Sequence, residues 1–451
     1  MDITLLSKYL IVFFSLLITI SCTSKIPANK HTTTKHTTSK HSGDQQHPLP
    51  FFKLNGTSIK TSANFSNWNH SSPWKIPTGY TQTLVSDESH LNIYPYGKND
   101  LPDMNTVNET GIDKGRYLYR THEISHSKKG AAISVVDMRT SKTKILVQAA
   151  HYKNLDGLRW TPWGTLVCAE ENHRGYFYEV ILSKKDPTRA VKVLRHPALG
   201  RLTHEGIEID SAGNIYVVDE HRGRSTGCAE RIPCGGGIYK FIPNKYGDLS
   251  QGTLYVLGFK EKHDDNTGQA SWLGPIDPNN PRISAADIGG ASYQRPEDLQ
   301  IIKDTLYIAI TEGPHNEWLE EQYQGRVISL NLQSLVVKNF VKPGLNVPIE
   351  KGLPGNKNHQ TGLDGVDNLA KAPNGDLVLV EDNKPSDIWF ASTQTDKRGA
   401  SIKVALFASL TDPGAEGTGI YFSPTDPNTL YVNVQHSALK DGDGTWAITK
   451  K

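Results

Sequence analysis

One unit recurs along this chain: an acidic turn, a short strand, an Asn-Gly or Asp-Pro-Asn turn, an apolar strand with a polar end, and a third strand. Its central hairpin runs from Arg201 to Glu220 around a Ser-Ala-Gly-Asn turn, and Gly236 to Pro243 supplies the third strand. There Ile207 and Ile209 alternate with Glu208 and Asp210, the period of a half-buried strand. Ile215 to Val218 is branched and apolar, which suits a strand buried on both faces. Carboxylates lie before the first strand, at Glu205, and after the second, at Asp219 and Glu220. Antiparallel pairing brings those two ends to one edge of a sheet. Further copies open near Arg116, Leu158, Arg295, Gly365 and Glu416, about six in all, with irregular spacing and large insertions. No long segment of helical period competes with them. The expected fold is all-β, a β-propeller of about six blades. A sandwich or a solenoid is the alternative, but a sandwich would not need the same polar residues at the same point of each unit.

Composition agrees with a turn-rich β protein: 39 Gly and 25 Pro stand against 3 Met in 451 residues. A formal net charge of +2, with 21% charged residues, gives no reason to invoke nucleic acid. Lys8, the apolar run Tyr9 to Ile20 and Ser21-Cys22 describe residues 1–22 as a secretory signal. Thr19-Ile20-Ser21-Cys22 resembles a bacterial lipobox, so Cys22 is expected to be lipidated. The protein is then exported and lipid-anchored to a bacterial membrane, facing the periplasm or the exterior. Residues 23–75 read as a tether, because Lys30 to Ser42 is polar, repetitive and free of large apolar groups. The propeller domain is expected over residues 76–451, as a monomer. Cys228 and Cys234, six apart in a Gly-rich loop, suit a small-loop disulfide. Cys168 is then left as a buried inert thiol or a metal ligand.

In a propeller the inner strands converge on a central channel, and their ends ring its mouth. At those ends stand Glu123, Glu170, Glu171, Asn172, Glu205, Asp219, Glu220, Arg295, Glu297, Asp298, Asp367, Asn368, Glu381, Asp382, Glu416 and His436. Taken singly, each carboxylate could simply cap a hairpin. Taken together they repel unless something positive sits between them. Hard oxygen donors in that number suit calcium, whereas added histidine and thiolate would suit a transition metal.

Several short motifs resemble the PhoX-type alkaline phosphatases: Thr161-Pro-Trp-Gly-Thr165 with Glu170-Glu-Asn172, His204-Glu-Gly206, Tyr216-Val-Val-Asp-Glu220, Arg295-Pro-Glu-Asp298, Asp367-Asn368 and Asn433-Val-Gln-His436. They fall in order over roughly residues 110 to 450. The resemblance implies a six-bladed propeller that hydrolyses phosphate monoesters outside the cytoplasm, with calcium and iron at the channel mouth. It implies that Glu205 bridges metals, that Arg295 grips phosphate and that Glu297 binds calcium. Glu171, Glu220, Asp367 and Glu381 follow as further metal ligands, and Asn172 and His436 as substrate contacts. Three features depart from the family pattern. Ala169 stands where the family has its iron-binding cysteine, with Cys168 one residue early, and a one-residue shift turns a strand side chain to the opposite face unless a bulge restores it. Ser437 stands where relatives commonly have proline, and no Arg-Arg export pair precedes the apolar run. A calcium-dependent lactonase or esterase, or a non-catalytic surface propeller stapled by metals, remains the alternative. The sequence has no serine-nucleophile elbow, phosphate loop or zinc-finger spacing.

Overall fold

The computed structural model describes residues 50–56, 58–91, 93, 100–125, 127–222, 235–261, 265–312, 324–352 and 355–451. Among these, six antiparallel blades can be traced. The first comprises Pro102–Val107, Tyr117–His122, Ala132–Asp137 and Lys142–Gln148. The second comprises Leu155–Trp160, Leu166–Glu170, Phe177–Ser183 and Asp186–Arg195. The third (His204–Ile209, Ile215–Asp219, Ile238–Lys245, Asp248–Phe259) and the fourth (Pro296–Ile302, Thr305–Ile310, Arg326–Asn331, Val336–Val341) are joined at their outer edges by Gly268–Leu273. The fifth runs Val366–Lys371, Leu377–Glu381, Asp387–Ala391 and Val404–Leu410. The sixth takes Glu416–Phe422, Thr429–Gln435 and Gly444–Lys450 from the C-terminal end, and its outer strand, Tyr80–Asp87, from the N-terminal end. The first strand of each blade packs against the first strand of the next, and the sixth returns to the first, so the ring is closed.

The alternation seen in the sequence explains the packing. Six apolar clusters fill the six gaps between successive blades. On Ile215–Asp219, Ile215 and Val217 face the second blade while Tyr216 and Val218 face the fourth. A strand with apolar groups on both faces is what a blade between two neighbours requires.

The domain begins earlier than residue 76. Phe51 and Phe52 are buried in the cluster between the fifth and sixth blades. Trp74–Lys75 adds a strand to the outer edge of the fifth blade, pairing Trp74 with Leu410. Ser62 Oγ donates to Asp387 Oδ2 at 2.6 Å, and Ala63 N donates to Ser409 Oγ at 2.7 Å. Phe51, Phe52, Ser62, Ala63 and Trp74, expected within the tether of 23–75, therefore pack into the domain. Phe51 and Phe52 lie outside the strand rhythm, so periodicity alone does not recruit them.

Candidate active site

The second residue of each inner strand forms a ring around the channel. In blade order these are Asp103, Asp156, Glu205, Glu297, Asp367 and Gly417, five carboxylates and a glycine. In all six blades the pairing register of the inner strand slips just beyond this point, between residues such as His204 and Ile207 or Pro296 and Leu299. A bulge there bends the strand and re-aims the side chain at its start. Glycine then lets the strands approach closely. A Cβ on Gly157 would lie 2.1 Å from the Glu205 carbonyl oxygen, and one on Gly206 would lie 2.5 Å from Asp298 Cα. Asp156-Gly157 and Glu205-Gly206 are thus the same device in neighbouring blades.

The ends of the second strands sort into two rows. The last strand residue turns away from the channel and satisfies backbone. Glu170 accepts from Lys153 N at 3.0 Å and from Tyr176 N at 3.0 Å. Asp219 accepts from Thr203 N at 3.0 Å, and Glu381 accepts from Asp364 N at 3.0 Å, Asp387 N at 3.2 Å and Trp389 Nε1 at 2.9 Å. The next residue faces the mouth: Glu171, Glu220 and Asp382. Glu381, expected as a metal ligand, is therefore a structural carboxylate, and Asp382 holds the position that matches Glu171 and Glu220. The off-by-one arises because the strand ends with a pair of acids and the pleat sends them opposite ways.

The same pleat decides Cys168. It lies in the apolar cluster between the first and second blades, beside Tyr152 and Tyr178, and burial pushes its thiol pKa up. Ala169 faces the other interface. The bulge in this blade falls on the inner strand, between Asp156 and Leu158, and leaves the Cys168–Tyr178 register intact. Of the two expected roles for Cys168, its place in an apolar cluster suits the buried thiol rather than the metal ligand.

Two triads stand out at the mouth. Asp103, Glu123 and Asp156 can present oxygens within 4.8 Å of one another, and so can Glu205, Glu297 and Asp367. Two unit charges at that distance repel by about 3 kcal/mol per pair at an effective dielectric constant near 20. Burial, reinforced by the neighbouring carboxylates, accordingly holds Asp103, Glu205 and Asp367 well above the usual carboxylate range. Asp156 is pushed up to about 8 by burial and by the Glu123 and Asp298 charges. Glu171, beside Glu123, and Glu416, beside Asp382, are raised for the same reasons. Asp103 Oδ1 and Asp156 Oδ1 are buried with no hydrogen-bond partner among the described residues. A set of buried, mutually repelling oxygens, some of them unpartnered, fits a cation.

Arg295 supplies the positive charge at this end. Its φ of 51° lies in the left-handed region that a non-glycine residue rarely adopts. Its Nε donates to Glu220 Oε1 at 2.6 Å and lies 3.1 Å from Glu297 Oε1, and its Nη2 lies 3.3 Å from Asp382 Oδ2. Burial alone would lower its pKa; the carboxylates of Glu297, Glu220 and Asp382 more than offset this and raise it. Of the other expected residues, Asn172 is half-buried in the loop after Glu171, and its carbonyl accepts from Gly175 N at 2.7 Å. His436 lies on the rim, exposed, with Nε2 3.5 Å from Glu416 Oε1. Cys228 and Cys234 lie outside the described residues, as does Cys22. Sequence reasoning missed Asp103, in the first blade, and Asp156, in the second. The signal for Asp156 was present, since Leu155-Asp156-Gly157 repeats the pattern of His204-Glu205-Gly206. Pro102-Asp103-Met104-Asn105 carries no such repeat.

At the opposite end of the channel the inner strands finish around a cavity of about 650 Å³, lined by Arg159, Glu208, Gln300, Lys371 and Tyr421 among others. Size alone would direct attention there, but the clustered carboxylates and Arg295 are all at the first end.

The family model for the alkaline phosphatase PhoX matches residues 175–438, more than half of the chain. None of the curated protein sequences matches. Among solved structures, Pseudomonas fluorescens PhoX in complex with vanadate, a transition state analogue, is similar in fold, with a TM-score of 0.62 at 16% identity over 88% of this chain and 98% of that one. A gluconolactonase from Xanthomonas campestris aligns with a TM-score of 0.44 at 12% identity, over 88% of this chain and 99% of that one.

Proposed function

The chain belongs to the PhoX alkaline phosphatase family, and on that premise we propose that it hydrolyses phosphate monoesters at the acidic mouth of its channel, with metal ions held by the carboxylate ring. The observation that carries this reading is Arg295, a guanidinium fixed among Glu220, Glu297 and Asp382 beside a ring of buried carboxylates. Its planar fork matches the oxygens of a phosphoryl group.

Glu205, Glu297 and Asp367 would hold one metal, and Asp103, Glu123 and Asp156 a second. The donors are all hard oxygens, which fits calcium. Carboxylates also fit iron, but the cysteine part of the family's iron site does not fit, because Cys168 is buried in an apolar cluster. Bound metal would supply positive charge to the phosphoryl oxygens and polarise the attacking oxygen. This chain's own residues do the rest. Arg295 stabilises charge on the phosphoryl group as the ester bond breaks. Glu220 and Asp382 fix the guanidinium through Nε and Nη2. Asn172, after Glu171, and His436, beside Glu416, would contact substrate.

The reading includes the way the protein is carried: export by residues 1–22 and a lipid anchor on Cys22, which would hold it, as a monomer, at a membrane surface outside the cytoplasm. Purified protein should hydrolyse an aryl phosphate, and a chelator should abolish the activity until calcium, or calcium with iron, is restored. Lactone hydrolysis without phosphate ester hydrolysis would favour the lactonase reading instead. Persistence of the protein in the membrane fraction after Cys22→Ser would count against the anchor.

A further inference from the structure

Just outside the acidic mouth the surface changes sign. Arg174, Arg201, Arg282 and His173 line a small cleft of about 90 Å³, closed by Asn280 and Pro281. The cleft adjoins the proposed site through the chain. Arg174 follows Asn172 by two residues, and Arg201 precedes Glu205 by four. Arg282 grips Asp219, whose neighbour Glu220 holds Arg295.

The three guanidinium groups are not equivalent. Arg282 is answered by Asp219, with Nε to Oδ2 and Nη2 to Oδ1 both 2.6 Å. Arg174 and Arg201 form no ion pair among the described residues. Instead they are pinned by neutral groups. Arg174 Nη1 donates to Asn280 Oδ1 and Nη2 to the Asn279 carbonyl, both at 2.9 Å. Arg201 Nε donates to the Arg174 carbonyl at 2.7 Å, and its guanidinium lies 3.9 Å over the Tyr176 ring. Arg195 lies 4.4 Å over the same ring and adds a further charge. With Asp219 answering Arg282 alone, the remaining cations repel one another. Held in place by hydrogen bonds and ring stacking, they present a preorganised site for an anion.

We propose that this cleft binds a second anionic group of the substrate, so that the preferred substrates are phosphate monoesters carrying a further phosphate several bonds from the ester that is cleaved. The inference rests on the phosphatase reading above and names its substrate class. It also accounts for attraction. A ring of carboxylates offers a dianionic substrate little until metals neutralise it, whereas the arginines beside it draw such a substrate at long range.

The test uses the full, metal-loaded chain and two probes whose C–P bonds resist hydrolysis: a series of α,ω-alkane bisphosphonates and the matching alkyl monophosphonates, with binding followed by calorimetry. At one chain length the bisphosphonate should bind at least roughly tenfold more tightly, the scale of one or two charge-assisted hydrogen bonds. Arg174→Gln with Arg201→Gln should remove that advantage and leave monophosphonate affinity unchanged. Arg201→Lys alone should retain part of it. In kinetics, the double variant should raise KM for an alkane bisphosphate about tenfold at constant kcat, with monophosphate turnover unaffected. Equal affinities of the two probes in the wild type, binding of neither, or a double variant that keeps the preference would overturn the cleft. A wild type that prefers the bisphosphonate but cleaves no phosphate ester would contradict the phosphatase reading while upholding the cleft.

Discussion

Arg295 and the acids around it divide into groups with separable roles. Glu205 lies inside a triad of oxygens, so Glu205→Gln removes one negative charge from the place where a metal would sit. Metal analysis of that variant should find less bound metal than in the wild type, together with lower activity; full metal occupancy would place the triad outside the metal site. Glu381 and Asp382 make a sharper contrast because they are adjacent. Glu381→Gln disturbs three hydrogen bonds inside the fifth blade and should lower stability by about 1–3 kcal/mol. Asp382→Asn loses the Arg295 partner and should lower turnover with little change in melting temperature. The reverse pattern would restore Glu381 as the functional acid. This distinction was not legible in the sequence, where both residues read alike as the polar end of a strand. Only the pleat, fixed by which apolar neighbours are buried, decides which acid faces the channel.

At the level of strands and turns, the hairpin rhythm was legible because each second strand is short, branched and bounded by turn residues. The bulges were not. A bulge inserts a residue without a fixed composition, so the aim of Asp103, Asp156 and Glu205 could not be read from period-2 alternation. The first blade's inner strand escaped notice for a related reason. All six residues of Pro102–Val107 are buried, yet Asp103, Asn105 and Thr106 are polar. Of these, Asn105 Nδ2 donates to the Gly419 carbonyl at 2.6 Å in the adjoining blade, whereas Asp103 Oδ1 and Thr106 Oγ1 have no partner among the described residues. Another buried polar contact ties the closing strand to the sixth blade. The turn after Tyr80–Asp87 brings Glu88 against Asp443, whose N donates to Glu88 Oε1 at 3.3 Å. Burial, then the Asp443 carboxyl, pushes Glu88 up to about 8. A folded-state value above the unfolded one, about 4.3, means that the folded protein holds the proton more tightly. Stability from this pair is therefore full at low pH and is lost as pH rises toward 8. Glu88→Gln carries no such ionisation, so its melting temperature should change less than that of the wild type between pH 5 and 8. Equal slopes would mean that Glu88 titrates normally.

For the molecule as a whole, closure depends on both ends of the chain. Tyr80–Asp87 completes the sixth blade, and Phe51, Phe52 and Trp74 seal the gap between the fifth and sixth. Each buried aromatic contributes about 2 kcal/mol through apolar burial alone. A chain begun at residue 76 should therefore melt well below one begun at residue 50; equal melting temperatures would make the aromatic segment dispensable. Ring closure also brings six strand starts to one axis, and Arg295 lies among acids of the third, fourth and fifth blades there. The most direct test of a metal-dependent phosphate site at this mouth is steady-state kinetics of Arg295→Ala on an aryl phosphate, with bound metal measured on the same sample. Loss of one preorganised donor to a developing charge predicts a fall in kcat of roughly a hundredfold, about 3 kcal/mol, with metal content unchanged. Wild-type turnover and affinity in that variant, its metals intact, would contradict the account.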